Sequence, residues 1–111
     1  MSTLSTHVLD TMHGRPAAGM VVVLRGPDGE IARGTTDEDG RCPGLAPDGL
    51  EPGRYALRFA VADYFSGLGV ALPDPPFLEE VTVDFGMAAD VGHYHVPLLV
   101  SPYGYSTYRG S

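Results

Sequence analysis

Four histidines, His7, His13, His93 and His95, are the side chains of this protein best suited to moving protons near neutral pH. His93 and His95 stand two apart in a stretch that reads as a strand, so they share one face. Two histidines on one face could bind zinc if a third ligand joined them. No Cys-x-x-Cys or His-Glu-x-x-His pattern accompanies them, so no metal is expected. For His7 or His95 taken alone, the competing reading is a hydrogen-bonded strand residue with no chemical role. Arg41 leaves the turn Asp37-Glu38-Asp39-Gly40 directly. A turn holds its flanking residue in place, and a planar guanidinium can grip a carbonyl or imide through two parallel hydrogen bonds. The plainer alternative is a solvated surface arginine. The acidic run of that turn lacks the downstream glutamate of an EF-hand, so calcium is not expected either. Cys42 has no Cys-His motif around it and reads as structural or incidental. No GxSxG elbow, phosphate-binding loop or GxGxxG is present, so Ser-His-Asp catalysis has no support.

These residues must be positioned by short elements. Leu4 to Asp10 alternates as a strand, with Leu4, Thr6 and Val8 on one face and Ser5, His7 and Leu9 on the other. His13 to Pro16 reads as a loop. Met20 to Leu24 is a short, β-branched apolar run, expected to be a strand covered on both faces. Gly26-Pro27-Asp28-Gly29 is a tight turn into a strand near Glu30 to Thr36. Pro43 to Gly53 is a loop. Tyr55, Leu57, Phe59 and Val61 alternate along a further strand. The spacing predicts one helix over Asp63 to Val70, capped by Asp63. Prolines 73, 75 and 76 break regular structure, Glu80 to Phe85 alternates again, and His93 to Val100 is a strand. Ser101 to Gly104 turns the chain into a last edge strand, from Tyr105 to the C-terminus. The total is about eight short strands and one short helix without an internal repeat: an all-β, antiparallel sandwich. The last strand is aromatic and nearly uncharged, whereas exposed edges are usually short or charged, so it is expected at a subunit interface.

Size and composition set limits on function. A chain of 111 residues with 43% hydrophobic content suits one globular domain, 1–111, with one core. A net charge of −7 and scattered basic residues argue against nucleic acid. A single cysteine allows no intrachain disulfide, which suits a reducing cytoplasm. No signal peptide and no membrane-length apolar run is visible, so no membrane association is expected.

Three segments together resemble the 5-hydroxyisourate hydrolase family. They are Leu4-Ser5-Thr6-His7-Val8-Leu9-Asp10 with Gly14-Arg15-Pro16-Ala17, then Thr36-Asp37-Glu38-Asp39-Gly40-Arg41, and last His93-Tyr94-His95-Val96-Pro97-Leu98-Leu99 running into Tyr105-Ser106-Thr107-Tyr108-Arg109-Gly110-Ser111. The Tyr-Arg-Gly-Ser ending is the most specific, because the hormone-carrier transthyretins that share the fold lack it. Leu72 to Phe77 is more proline-rich than the family pattern. The resemblance implies a transthyretin-like sandwich with one helix between the fifth and sixth strands, assembled as a dimer of dimers with active sites in a channel between subunits. It implies hydrolysis of an amide bond in the ring of 5-hydroxyisourate, a purine-derived small molecule, with no cofactor. By motif position it assigns His7, Arg41, His95 and the terminal segment Tyr108 to Ser111 to the site. In that scheme His7 and His95 handle protons, Arg41 holds and polarises substrate carbonyls, and Tyr108 and Ser111 offer hydroxyls.

Two rivals remain on sequence grounds. A non-catalytic transthyretin-like binding protein would keep sandwich and channel but need neither the histidine pair nor the Tyr-Arg-Gly-Ser end. An adhesion or carbohydrate-binding module is usually part of a longer chain, while this one starts at Met1 and ends at its motif.

Overall fold

The computed structural model describes residues 2–110. Eight strands and one helix follow in the order β1 (Thr3–Asp10), β2 (Arg15–Pro16), β3 (Val21–Gly26), β4 (Gly29–Thr35), β5 (Gly53–Phe59), α1 (Val61–Gly67), β6 (Val81–Met87), β7 (His93–Ser101) and β8 (Gly104–Thr107). They form two four-stranded sheets, ordered β2-β1-β7-β8 and β4-β3-β5-β6. Every pairing is antiparallel except one: the central strands β1 and β7 run parallel, in register from Thr3 beside His93 to Asp10 beside Val100. That pairing departs from the all-antiparallel expectation. Alternation fixes which face a residue occupies, but not the direction in which a distant strand returns.

The alternating residues meet between the sheets. Val8, Leu98 and Val100 from one sheet pack with Val22, Leu24, Leu57, Phe59 and Val81 from the other, each buried. Helix α1 follows β5 and adds Val61, Tyr64 and Phe65 to the same core. The helix starts two residues before the expected cap. Ala60 occupies the N-cap without a side-chain bond, and Asp63 lies in the first turn instead. A carboxylate there still complements the positive end of the helix. The run at Met20 to Leu24 is buried from Val22 to Leu24, but Val21 is exposed. The expected loop after β1 contains the two-residue strand β2, and the last strand stops at Thr107 rather than running to the terminus.

Buried side-chain nitrogen and oxygen atoms of the described residues all find partners. Thr6 donates to the Val96 carbonyl, and Thr36 donates to Ala17 while accepting from the Met20 amide. Asp10, at the end of β1, accepts from the His13 backbone amide, the His13 ring at 2.6 Å and the Tyr64 hydroxyl at 2.7 Å. Burial pushes the Asp10 pKa up, but these hydrogen bonds outweigh it and hold the carboxyl below its ordinary value. The same contact, with burial first, pushes Tyr64 up to about 12. No helix among the described residues is long and apolar enough to cross a membrane.

Candidate active site

Because β1 and β7 are parallel and in register, their alternation lines up on the face turned away from the core. Thr3 stands beside His93, Ser5 beside His95 and His7 beside Pro97. His7 and His95 are therefore diagonal neighbours across two adjacent strands. Both are half-buried.

On the other side of β1 the Asp37–Arg41 turn is stitched to the strand. The Asp37 carboxylate accepts from the backbone amides of Asp39 and Arg41, and the Gly40 amide bonds back to the Asp37 carbonyl. Gly40 adopts φ 76°, and a side chain there would run into the Val8 carbonyl. The Val8 amide donates to Gly40, and His7 pairs with Arg41 as an isolated bridge. Arg41 is thereby set beside His7. Its side chain is exposed and makes no ion pair within the described residues.

The turn also orients the His7 ring. Nε2 of His7 lies 2.7 Å from the Asp39 carbonyl. A carbonyl can only accept, so Nε2 carries the proton and Nδ1 is the basic nitrogen of the neutral ring. His95 is held differently: its Nδ1 lies 2.8 Å from the Ser5 hydroxyl. Desolvation by burial, then the nearby charges of Arg41, His7 and His93, lower the His95 pKa below its ordinary value of 6.5. Burial and these neighbours thereby favour the neutral form of the ring.

Beyond β8 the chain returns to β7. The Gly110 amide donates to the His95 carbonyl at 2.7 Å, and the two residues form an isolated bridge. A Cβ at Gly110 would sit 2.5 Å from Cδ2 of the His95 ring, so only glycine allows this approach. The Arg109 guanidinium lies over the buried Tyr94 ring, 5.2 Å from its centroid, and anchors the tail. Tyr108 is exposed, with a relative accessibility of 59%. Ser111 lies outside the described residues.

Three sequence-distant segments therefore converge on one sheet face: the β1 histidine, the Arg41 turn, and β7 with the tail over it. Sequence reasoning misses a role for Ser5, and it places Arg109 in the terminal site segment without its anchoring contact to Tyr94. The period-2 pattern does place Ser5 on the His7 face, but its contact with His95 needs the β1–β7 register. His13 stands apart, at the far end of β1. Cys42 is half-buried near the Thr35 carbonyl, and burial with the Asp37 charge pushes its thiol pKa up, the opposite of a nucleophile's environment. A concavity of about 960 Å3 lies on the other sheet, lined by Arg25, Arg54, Tyr55 and Phe85 among others, and contains none of the histidines.

The sequence profile described as the HIUase/Transthyretin family matches residues 4–110. This chain belongs to that family. Among its relatives in the family, the 5-hydroxyisourate hydrolase of Caulobacter vibrioides is 50% identical over 115 residues, covering all of both chains. The solved structure of Klebsiella pneumoniae 5-hydroxyisourate hydrolase superposes with a TM-score of 0.89 at 36% identity, again over the whole of both chains. The crystal structure of transthyretin from Sparus aurata superposes with a TM-score of 0.86 at 29% identity, covering 99% of this chain and 97% of that one. Hydrolase and carrier share the family's sandwich, so the side chains on the histidine face must decide between them.

Proposed function

We propose that this chain hydrolyses 5-hydroxyisourate to 2-oxo-4-hydroxy-4-carboxy-5-ureidoimidazoline, a step of urate degradation, without a cofactor. The observation that carries this reading is the convergence of His7, Arg41 and His95 on one sheet face beneath a glycine-bearing tail. The whole-length likeness to hydrolases supports it.

Opening a ring amide with water requires a base for the water, a positive group for the developing oxyanion and an acid for the departing nitrogen. His7 suits the role of base, because its Nε2–H is tied to the Asp39 carbonyl and Nδ1 is left to take the water proton. Arg41 has a planar guanidinium beside it for the substrate carbonyls and the oxyanion. His95 faces the departing nitrogen. Tyr108, in the tail, is proposed to orient the substrate, and Ser111 to add a second hydroxyl.

A half-open sheet face cannot exclude bulk water. The proposal therefore includes a homotetramer, a dimer of dimers, in which a second copy covers the histidine face and closes a channel. The exposed Tyr103, Tyr105 and Tyr108 around β8 support this assembly. We place the protein in the cytoplasm, in keeping with its single free cysteine. The test adds purified protein to freshly made 5-hydroxyisourate and follows the ultraviolet absorbance. Decay well above the spontaneous rate is expected. Saturable binding without accelerated decay would instead favour a non-catalytic carrier.

A further inference from the structure

The Ser5 hydroxyl lies between two rings, 3.0 Å from Nε2 of His93 and 2.8 Å from Nδ1 of His95. At the far side of His93, Nδ1 lies 2.6 Å from the Thr3 hydroxyl, which also reaches the Gly92 carbonyl at 3.3 Å. Four side chains on two strands thus form one line of hydrogen bonds: Thr3, His93, Ser5, His95. A hydroxyl has a single proton, so Ser5 cannot donate to both rings. When it donates to His95 it must accept from His93, and the reverse. The tautomers of the two histidines are therefore locked together. In the first arrangement His95 carries its proton on Nε2, His93 carries its proton on Nε2, and Thr3 donates to His93. In the second, both histidines carry the proton on Nδ1, and Thr3 donates to Gly92.

This matters for the acid step. A neutral imidazole is a very weak acid, and giving up its proton alone would leave an imidazolate. Burial first, then Arg41, His7 and His93, bear on His95 and disfavour the imidazolium that would otherwise serve as the acid. A neutral His95 can protonate a departing nitrogen only if another proton reaches its second nitrogen as the first one leaves.

We propose that Ser5 is a positioning residue that joins His93 and His95 into one proton-carrying array, so that His95 gives a proton from Nε2 while it receives one at Nδ1 from the Ser5 hydroxyl. The inference rests on the hydrolase reading above. The protons balance. As the C–N bond breaks, the His95 Nε2 proton goes to the nitrogen and the Ser5 proton goes to His95 Nδ1. The His93 Nε2 proton then replaces that of Ser5, the Thr3 proton moves to His93 Nδ1, and solvent refills Thr3, which is exposed. The proton that His7 takes from the attacking water returns to solvent. The transfers leave both rings in the second arrangement, and the first is restored when His95 takes a solvent proton at Nε2, its Nδ1 proton returns along Ser5 and His93, and Thr3 releases one to solvent, so two protons enter and two leave per turnover.

The test uses Ser5→Ala, Ser5→Thr and His93→Phe in the full chain. Ser5→Ala should lose about 10²-fold in kcat, the lower range for a lost proton-transfer group, with KM within about twofold. Ser5→Thr keeps the hydroxyl and should recover most of the rate. In mixtures of light and heavy water, the rate of the native protein should fall along a curve, because several protons move together, and Ser5→Ala should give a straight line. Nitrogen-15 spectra of the imidazoles, read on the protein alone, should show the His95 tautomer changing in both Ser5→Ala and His93→Phe. A Ser5→Ala protein with native kcat, or His95 ring nitrogens indifferent to both substitutions, would overturn the array. Should Ser5→Ala fail to fold, the exposed-site variant His93→Phe decides the same question by the same spectra. A native protein that does not turn over 5-hydroxyisourate would sink the hydrolase reading separately, since the spectra still report whether Ser5 couples the rings.

Discussion

Which nitrogen of a histidine carries the proton decides what the residue can do, and the surroundings of each ring here settle that differently. His7 is fixed by a backbone carbonyl, His95 is tied to a hydroxyl that can switch, and His13 is spent on a buried carboxylate. Replacing His7, Arg41 or His95 by alanine should cost about 10²–10⁴-fold in kcat/KM, with circular dichroism unchanged, since none of these side chains belongs to the core. Gly110→Ala should behave like them although it removes no functional group. Its methyl would stand 2.5 Å from the His95 ring, and a displacement of about 1 Å at such a site costs on the order of 10²-fold. His13→Ala should leave turnover within about twofold yet lower stability. It deletes a hydrogen bond to a charged, buried Asp10, worth about 1.5–3 kcal/mol. Thermal unfolding checks this, with a Tm shift of about 4–8 °C per kcal/mol for a domain near this size. The folded pKa of Asp10 is below its ordinary 3.8, so the folded state favours its charged form. That stabilisation is complete above pH 3.8 and disappears as the pH falls through the lower folded value. Acid unfolding of Asp10→Asn should accordingly be shallower below pH 3.8 than that of the native protein.

At the scale of elements, the strands that carry the site are legible in the alternation of the sequence. Ser5 and His7 share a face of β1, and His93 and His95 share one of β7, because side-chain direction has a strict period of two. What joins them is not legible. The β1–β7 register and its parallel direction depend on the path of about 80 intervening residues, and the acceptor for His7 is a backbone carbonyl, which leaves no mark in composition. The helix start differs from expectation because Asp63 is a good cap by type, yet the chain enters the helix from β5 at Ala60, where core packing of Val61 and Phe65 outweighs capping. The Asp10–His13 contact does have a signal, an acidic residue three positions before a histidine at a strand end. The Arg41 turn and the tail each act as a unit. Asp37→Ala removes the acceptor for two turn amides and should raise KM several-fold by loosening Arg41, with the fold retained. Removing the last four residues should abolish ultraviolet-monitored turnover while the sandwich survives, since the tail contributes nothing to the core cluster. Arg109→Ala, which only frees the tail from Tyr94, should lose less than the deletion. A truncated protein with native turnover would show that the tail is merely structural.

For the whole molecule, the histidine face poses a problem that one protomer does not solve. Charge and hydrogen-bond effects of the kind assigned to Arg41, His7 and His95 weaken steeply in bulk water, and all three residues are at least partly exposed. On the hydrolase reading proposed above, a cover over this face is what the chemistry would need. The exposed aromatics sit at the adjoining edge: Tyr103 precedes β8, Tyr105 lies within it, Tyr108 lies in the tail, and Phe77 packs against Tyr103 with ring centroids 6.2 Å apart. Strand β8 is an edge four residues long whose outer backbone groups have no partner strand among the described residues. A second copy adding its own β8 would pair those groups and bury the aromatics, and two such pairs meeting face to face would enclose the histidines. Light scattering after size exclusion should therefore give a mass near four times the 11.8 kDa chain. The link to function can be tested by placing a charge at the edge: Tyr105→Glu should shift the assembly toward smaller species and lower turnover in proportion, with the loss reversed as protein concentration rises. Concentration-independent activity in a dissociated Tyr105→Glu protein would show that a single protomer carries a complete site, and the covering role assigned to the second copy would fall.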